Sequence, residues 1–116
     1  MRLIVMGQQA FGKSALEAIL RRGDDEVVAV YCAPDKGDRV DPIKEFALES
    51  ELTVMQPDNF KSQDVLDSMK EFKSDLCVMA YVTIFVPEEA RNIPTHGSIC
   101  YHPSLLPLHR GPSSIN

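Results

Sequence analysis

The sequence predicts an α/β fold, a doubly wound, mostly parallel sheet with helices on both faces. Three observations predict it. Short apolar runs alternate with amphipathic segments along the chain, as expected when each strand is followed by a crossover helix. One run, Leu76 to Ala80, is apolar throughout and has the length of a strand buried on both faces. Finally, 116 residues that are 44% hydrophobic and 25% charged suit a single globular core.

Leu3 to Met6 form the first strand. The N-terminal run Met1 to Gly7 is too short for a signal-peptide core and has no small-residue cleavage site behind it. Lys13 to Arg22 make the first helix, with Ala15, Ile19 and Leu20 at helical spacing after Gly12, and Gly23 closes it. Val27 to Tyr31 form the second strand. Asp41-Pro42 opens a helix through Leu48, because proline is tolerated in a first turn. Leu52 to Met55 give a short third strand, Val65 to Phe72 a third helix, and Leu76 to Ala80 the central strand. Pro87 to Arg91 begin a short helix, and Gly97 to Tyr101 form a fifth strand that delivers the chain to His102-Pro103.

The element order is Rossmann-like. From His102 to Asn116 three of the eight prolines and one glycine accumulate, so this stretch is a built loop. It ends after Ile115 with no helix or strand to anchor its far side. Residues 1–116 are therefore expected to be truncated.

Charge and composition exclude several classes. No apolar run approaches the roughly 18 residues that span a bilayer, so no membrane partner is expected. A net charge of -5 argues against a nucleic-acid-coating surface. Cys32, Cys77 and Cys100 lack C-x-x-C spacing and are expected as free thiols in a reducing cytoplasm. His96, His102 and His109 are spaced by six and seven residues, which is no metal-binding set, and no metal is expected.

In open parallel sheets ligands gather outside the carboxyl ends of the strands, where His102 stands. The stretch His102-Pro103-Ser104-Leu105-Leu106-Pro107-Leu108-His109-Arg110-Gly111 resembles the H-P-S-L-L-P-x-x-[RK]-G signature of the folate-dependent formyltransferase family. Ten consecutive positions include eight specified ones, and all eight match. Gly7-Gln8 through Phe11-Gly12, Pro34-Asp35-Lys36, Asp41-Pro42, His96-Gly97-Ser98-Ile99 and Ser114-Ile115-Asn116 are most similar to the hydrolase domain of 10-formyltetrahydrofolate dehydrogenases.

The resemblance implies 10-formyltetrahydrofolate as formyl donor, with water, an amine or a tRNA as acceptor. It implies that His102 is catalytic, polarising the formyl carbonyl or shuttling a proton, as an imidazole with an ordinary pKa of about 6.5 can do. It sets the pterin against the loop of Tyr81, Thr83, Ile84 and Phe85, with Leu105 and Pro107 beside it. For Ile84 and Phe85 the alternative is core packing. Arg110 and Gly111 shape the loop or meet an anionic group, with solvent exposure the alternative for Arg110. Where many members carry an asparagine amide, this chain has Cys100, a weak donor whose role is doubtful. The family's downstream aspartate has no counterpart here, since no acidic residue follows His102. The resemblance thus implies that residues 1–116 are the N-terminal part of a catalytic domain that needs the remainder of its own chain to complete the site; the fragment alone is expected to be inactive, and Asp75 is expected to be an ordinary strand-entry residue. A catalytically dead folate-binding module is a further alternative.

A second pattern competes. Gly7-Gln8-Gln9-Ala10-Phe11-Gly12-Lys13-Ser14 satisfies G-x-x-x-x-G-K-[ST], which predicts a phosphate-cradling loop with Lys13 on the phosphates and Ser14 on magnesium. Under the formyltransferase reading, Gly7 to Gly12 is a tight turn between the first strand and helix, able at most to rest an anion on the helix N-terminus.

Overall fold

The computed structural model describes residues 1–80, 82 and 85–101. In chain order it contains β1 (Arg2–Gly7), α1 (Gln9–Arg22), β2 (Glu26–Tyr31), α2 (Pro42–Glu49), β3 (Val54–Met55), α3 (Gln63–Glu71), β4 (Leu76–Ala80), α4 (Glu88–Arg91) and β5 (Ser98–Cys100). The strands form one sheet in the order β3-β2-β1-β4-β5, and every pairing is parallel.

Two apolar layers follow from the alternation of side chains along the central strands. On one face Ile4 and Met6 of β1, Ala29 and Tyr31 of β2 and Cys77 of β4 pack beneath Leu66 and Met69 of α3 and Ala90 of α4. On the other, Val5 and Val30 pack against Leu16 of α1 and against Ile43 and Ala47 of α2. Helices thus cover both faces, as the fully apolar β4 requires, and β1 is buried from Leu3 to Gly7 because it lies at the centre.

Most boundaries fall close to their expected places, with two instructive shifts. α1 begins at Gln9, four residues before Lys13, because only Gln8 separates it from β1. β3 shrinks to two residues because Leu52 is used to end α2: its amide bonds the Ala47 carbonyl at 2.9 Å, with Glu51 in the left-handed region at φ 61. Other ends follow the expected chemistry. Gly23 closes α1 at φ 70, and the Ser62 hydroxyl caps α3 by accepting from the Asp64 amide at 3.2 Å. Asp75 is a strand-entry residue, its carboxylate accepting the Arg2 amide at 2.7 Å at the amino end of the sheet, opposite the carboxyl ends.

The tightest packing lies where β1 meets α1. A Cβ on Gly7 would stand 2.6 Å from the Ala80 carbonyl oxygen and 3.1 Å from the Gly12 Cα. A Cβ on Gly12 would stand 3.0 Å from the Gly7 carbonyl carbon and 3.1 Å from the Ile43 side chain. Gly7→Ala is expected to destabilise by about 1–3 kcal/mol because its neighbours are backbone. Gly23→Ala, with nothing within 4 Å, pays only for its left-handed φ of 70, about 1–2 kcal/mol. Urea denaturation of both variants, each against wild type, checks the two costs.

Candidate functional site

The chain moves outward from β1 to β2 and β3, then crosses back to β4 and β5 on the other side of β1. This reversal places the switch point between β1 and β4, where Gly7 is paired with Ala80 at the carboxyl ends. Around it stand the buried Gln8, the half-buried Val82 and two facing rings, Phe11 of α1 and Tyr101 beyond β5, with centroids 6.3 Å apart. The Tyr101 amide donates to the Met79 carbonyl at 2.8 Å, so sheet pairing continues to the residue before His102.

Of the expected folate-binding residues, Phe85 is described, and it is 68% exposed. Core packing, the alternative for Phe85, is not what it does. The residue packed into the core is its neighbour Val86, whose carbonyl accepts from Arg91 Nε at 3.1 Å. Cys100 ends β5 as an exposed free thiol. His102, Tyr81, Thr83, Ile84, Leu105, Pro107, Arg110 and Gly111 lie outside the described residues.

The phosphate-loop reading of Gly7 and Gly12 is corrected. Such a loop needs several residues free to wrap a phosphate between strand and helix, and here only Gln8 and Gln9, the latter in the left-handed region at φ 61, stand between β1 and the right-handed turns of α1. The Gly12 amide donates to the Gln8 carbonyl at 3.0 Å, an ordinary helical bond. Lys13 turns toward α2, its Nζ 6.0 Å from the centre of the Phe46 ring. The segment is the tight turn that the formyltransferase resemblance implied.

A cleft of about 740 Å³ opens beside that turn, between the start of α1 and the β2–α2 connection. Gln8, Gln9, Lys36, Arg39, Asp41 and Asp58 supply its polar groups. Asp41 Oδ1 accepts from the Gln9 amide at 2.5 Å and from the Ile43 amide at 3.1 Å, so one carboxylate serves the first turns of both α1 and α2. The connection is held by Asp35, which receives Lys44 Nζ at 2.7 Å and Gln56 Nε2 at 2.9 Å. Those donors, Lys44 first and then Gln56, keep the Asp35 carboxyl below the usual carboxylate range. Sequence reasoning missed this cleft. Asp-Pro signalled the α2 cap, but the bond from Asp41 to Gln9 spans 32 positions and leaves no local pattern.

The other two thiols are structural. Burial pushes Cys32 up to about 11, with the nearby Asp41 charge adding to it, and pushes Cys77 up to about 12. Among the described residues no three metal-ligating side chains converge, and no helix is long and apolar enough to cross a membrane.

A fully parallel sheet, covered by helices on both faces and reversing its strand order beside β1, defines a Rossmann-like α/β protein. Comparison with known proteins narrows the class. The sequence profile described as formyl transferase matches residues 1–116. Cytosolic 10-formyltetrahydrofolate dehydrogenase of Xenopus tropicalis is 35% identical over 121 residues, covering 100% of this chain and 13% of that protein. Methionyl-tRNA formyltransferase of Fusobacterium nucleatum is 36% identical over 122 residues, covering 100% of this chain and 39% of that protein. The crystal structure of phosphoribosylglycinamide formyltransferase from Bacillus halodurans superposes with a TM-score of 0.68 at 20% identity, over 97% of this chain and 61% of the other. This chain belongs to the formyl transferase family.

The thiols give a pH dependence of defined sign. A thiol ionising near 8.5 in the unfolded chain but only near 11 or 12 in the fold leaves the unfolded state binding fewer protons at alkaline pH. Stability is therefore full below the unfolded value and falls as pH rises from about 8.5 toward the folded values. Chemical denaturation between pH 8 and 11 is expected to show the decline. Cys77→Ser, which removes one such thiol, flattens it.

Proposed function

We propose that this chain is the folate-binding N-terminal part of an enzyme that takes the formyl group from 10-formyltetrahydrofolate and passes it to water, or to an amine, releasing tetrahydrofolate. The observation that carries this reading is the full match of the ten-residue signature His102 to Gly111. It begins on the residue after Tyr101, whose amide is paired at the carboxyl edge of the sheet. The family membership and the likeness to a 10-formyltetrahydrofolate dehydrogenase support the same donor.

In this reading the His102 imidazole donates to the formyl oxygen, or relays a proton, as the nucleophile adds to the carbonyl carbon. Fixed donors around a developing oxyanion supply the strongest contribution to such a step. The tetrahedral centre then collapses, the carbon–nitrogen bond to the folate breaks, and the released nitrogen takes up a proton. With water the other product is formate, and with an amine it is a formamide.

The loop holding Tyr81, Thr83, Ile84 and Phe85 takes the pterin, and Leu105 and Pro107 contribute to the same folate site. An aromatic ring left as exposed as Phe85 at this edge is available to a flat heterocycle. Arg110 and Gly111 shape the signature loop. Cys100 stands where many members carry an asparagine amide, and a thiol supports an oxyanion less well than an amide does. The remainder of the protein completes the site, and three free thiols fit the reducing cytoplasm.

The full-length protein is expected to release tetrahydrofolate and formate from 10-formyltetrahydrofolate without an added acceptor. His102→Ala is expected to lower kcat by at least about a hundredfold. Tetrahydrofolate formed only with an added amine points to a transferase. Tight folate binding without turnover under either condition makes the domain a binding module and overturns the proposal.

A further inference from the structure

We infer that Asp41 bars phosphate from the start of α1, so that the ligand entering the adjoining cleft is uncharged or cationic where it meets Gln9. Resting on the function proposed above, this restricts the formyl acceptor to water or to an amine that carries no phosphate at that position.

In a parallel sheet of this kind the first turn of the helix after β1 is the natural anion position. Its amides point toward the carboxyl edge, and the helix dipole adds about half a positive charge. α1 has no side-chain cap of its own and no acidic residue in its first turn. The negative charge comes from Asp41, thirty-two positions along, whose Oδ1 lies 2.5 Å from the Gln9 nitrogen. Gln9 adopts φ 61, a conformation unfavourable for a side-chain-bearing residue, with its amide in that bond.

The carboxylate is fixed in place. The same oxygen caps α2 through Ile43, whose side chain is fully buried beneath α1, and Pro42 holds the backbone that follows. Beyond Asp41 the connection is tied by Lys44 and Gln56 to Asp35. A phosphate at Gln9 would have to displace a bonded carboxylate, or sit against it as a like charge in contact. The other charged groups of the cleft do not relieve this. Asp58 adds negative charge, Asp35 is matched by Lys44, and Lys36 and Arg39 stand on the exposed turn that forms the outer wall.

The test is an amide-resolved NMR titration of the full-length protein with inorganic phosphate, which requires no folate chemistry. Wild type is expected to show no saturable shift at Gln9 or Ala10; any shift at Lys36 or Arg39 marks binding at the outer wall and agrees with the inference. Asp41→Ser keeps an α2 capping hydroxyl while vacating α1, and is expected to bind phosphate at Gln9 at least tenfold more tightly than wild type. Should that variant unfold, Asp41→Asn keeps both acceptor bonds and removes only the charge, with at least a threefold gain expected. Saturable phosphate binding at Gln9 in wild type, or equal affinity in wild type and the folded variants, overturns the inference. Because phosphate binding is read directly, its outcome is separate from whether the protein turns over 10-formyltetrahydrofolate.

Discussion

The structure depends on one close approach, that of Gly7 to Gly12. A single residue, Gln8, joins the central strand to α1, and the helix axis then lies so near the strand that neither glycine has room for a Cβ. Gly7 is also pressed against the Ala80 carbonyl, so the same contact sets how closely β1 and β4 pair at their carboxyl ends. Helix, central strand and switch point are therefore fixed together. A larger residue at Gly7 would move all three, because its two nearest neighbours are backbone and cannot rotate away; at Gly12 the new side chain would meet the Gly7 backbone and the end of Ile43.

This constraint also decides what lies at the edge of the sheet. With no loop between β1 and α1, the N-cap residue Gln8 makes no side-chain cap bond, and a carboxylate from the next crossover accepts from the Gln9 amide. Asp41 thereby ties the first turn of α1 to that of α2 at the edge of the cleft. On the far side of β1 the edge is made of apolar and aromatic groups: Val82, Phe85, Phe11 and Tyr101. The carboxyl edge of the sheet is thus apolar and aromatic on one side of β1 and polar on the other.

Legibility in the sequence followed the range of the interactions concerned. The strands of the core were readable because burial on two faces demands an apolar run, and β4 shows it without interruption. The closure of α1 was readable because Gly23 is a local backbone requirement. β3 was read too long because Leu52 is apolar for a strand but is used, through its amide, to end α2. The cleft was not readable at all: its walls come from residues 8 to 58, and the bonds that shape it, Asp41 to Gln9 and Gln56 to Asp35, connect positions 32 and 21 apart. Periodicity records local order, and no periodicity records a partner at such a distance.

The phosphate-loop pattern shows the same limit from the other direction. Gly7 to Ser14 contains every residue type that a phosphate loop requires, in the right order, after a strand and before the end of a helix. What the chemistry needs in addition is length, because several consecutive amides must leave the helical path to surround an anion. In this chain only Gln8 and Gln9 stand off that path, the Gly12 amide is bound to Gln8, and Lys13 leans on Phe46. The glycines serve close packing in place of flexibility, so the same letters that would cradle a phosphate elsewhere bring a helix onto a strand and leave the anion position to Asp41.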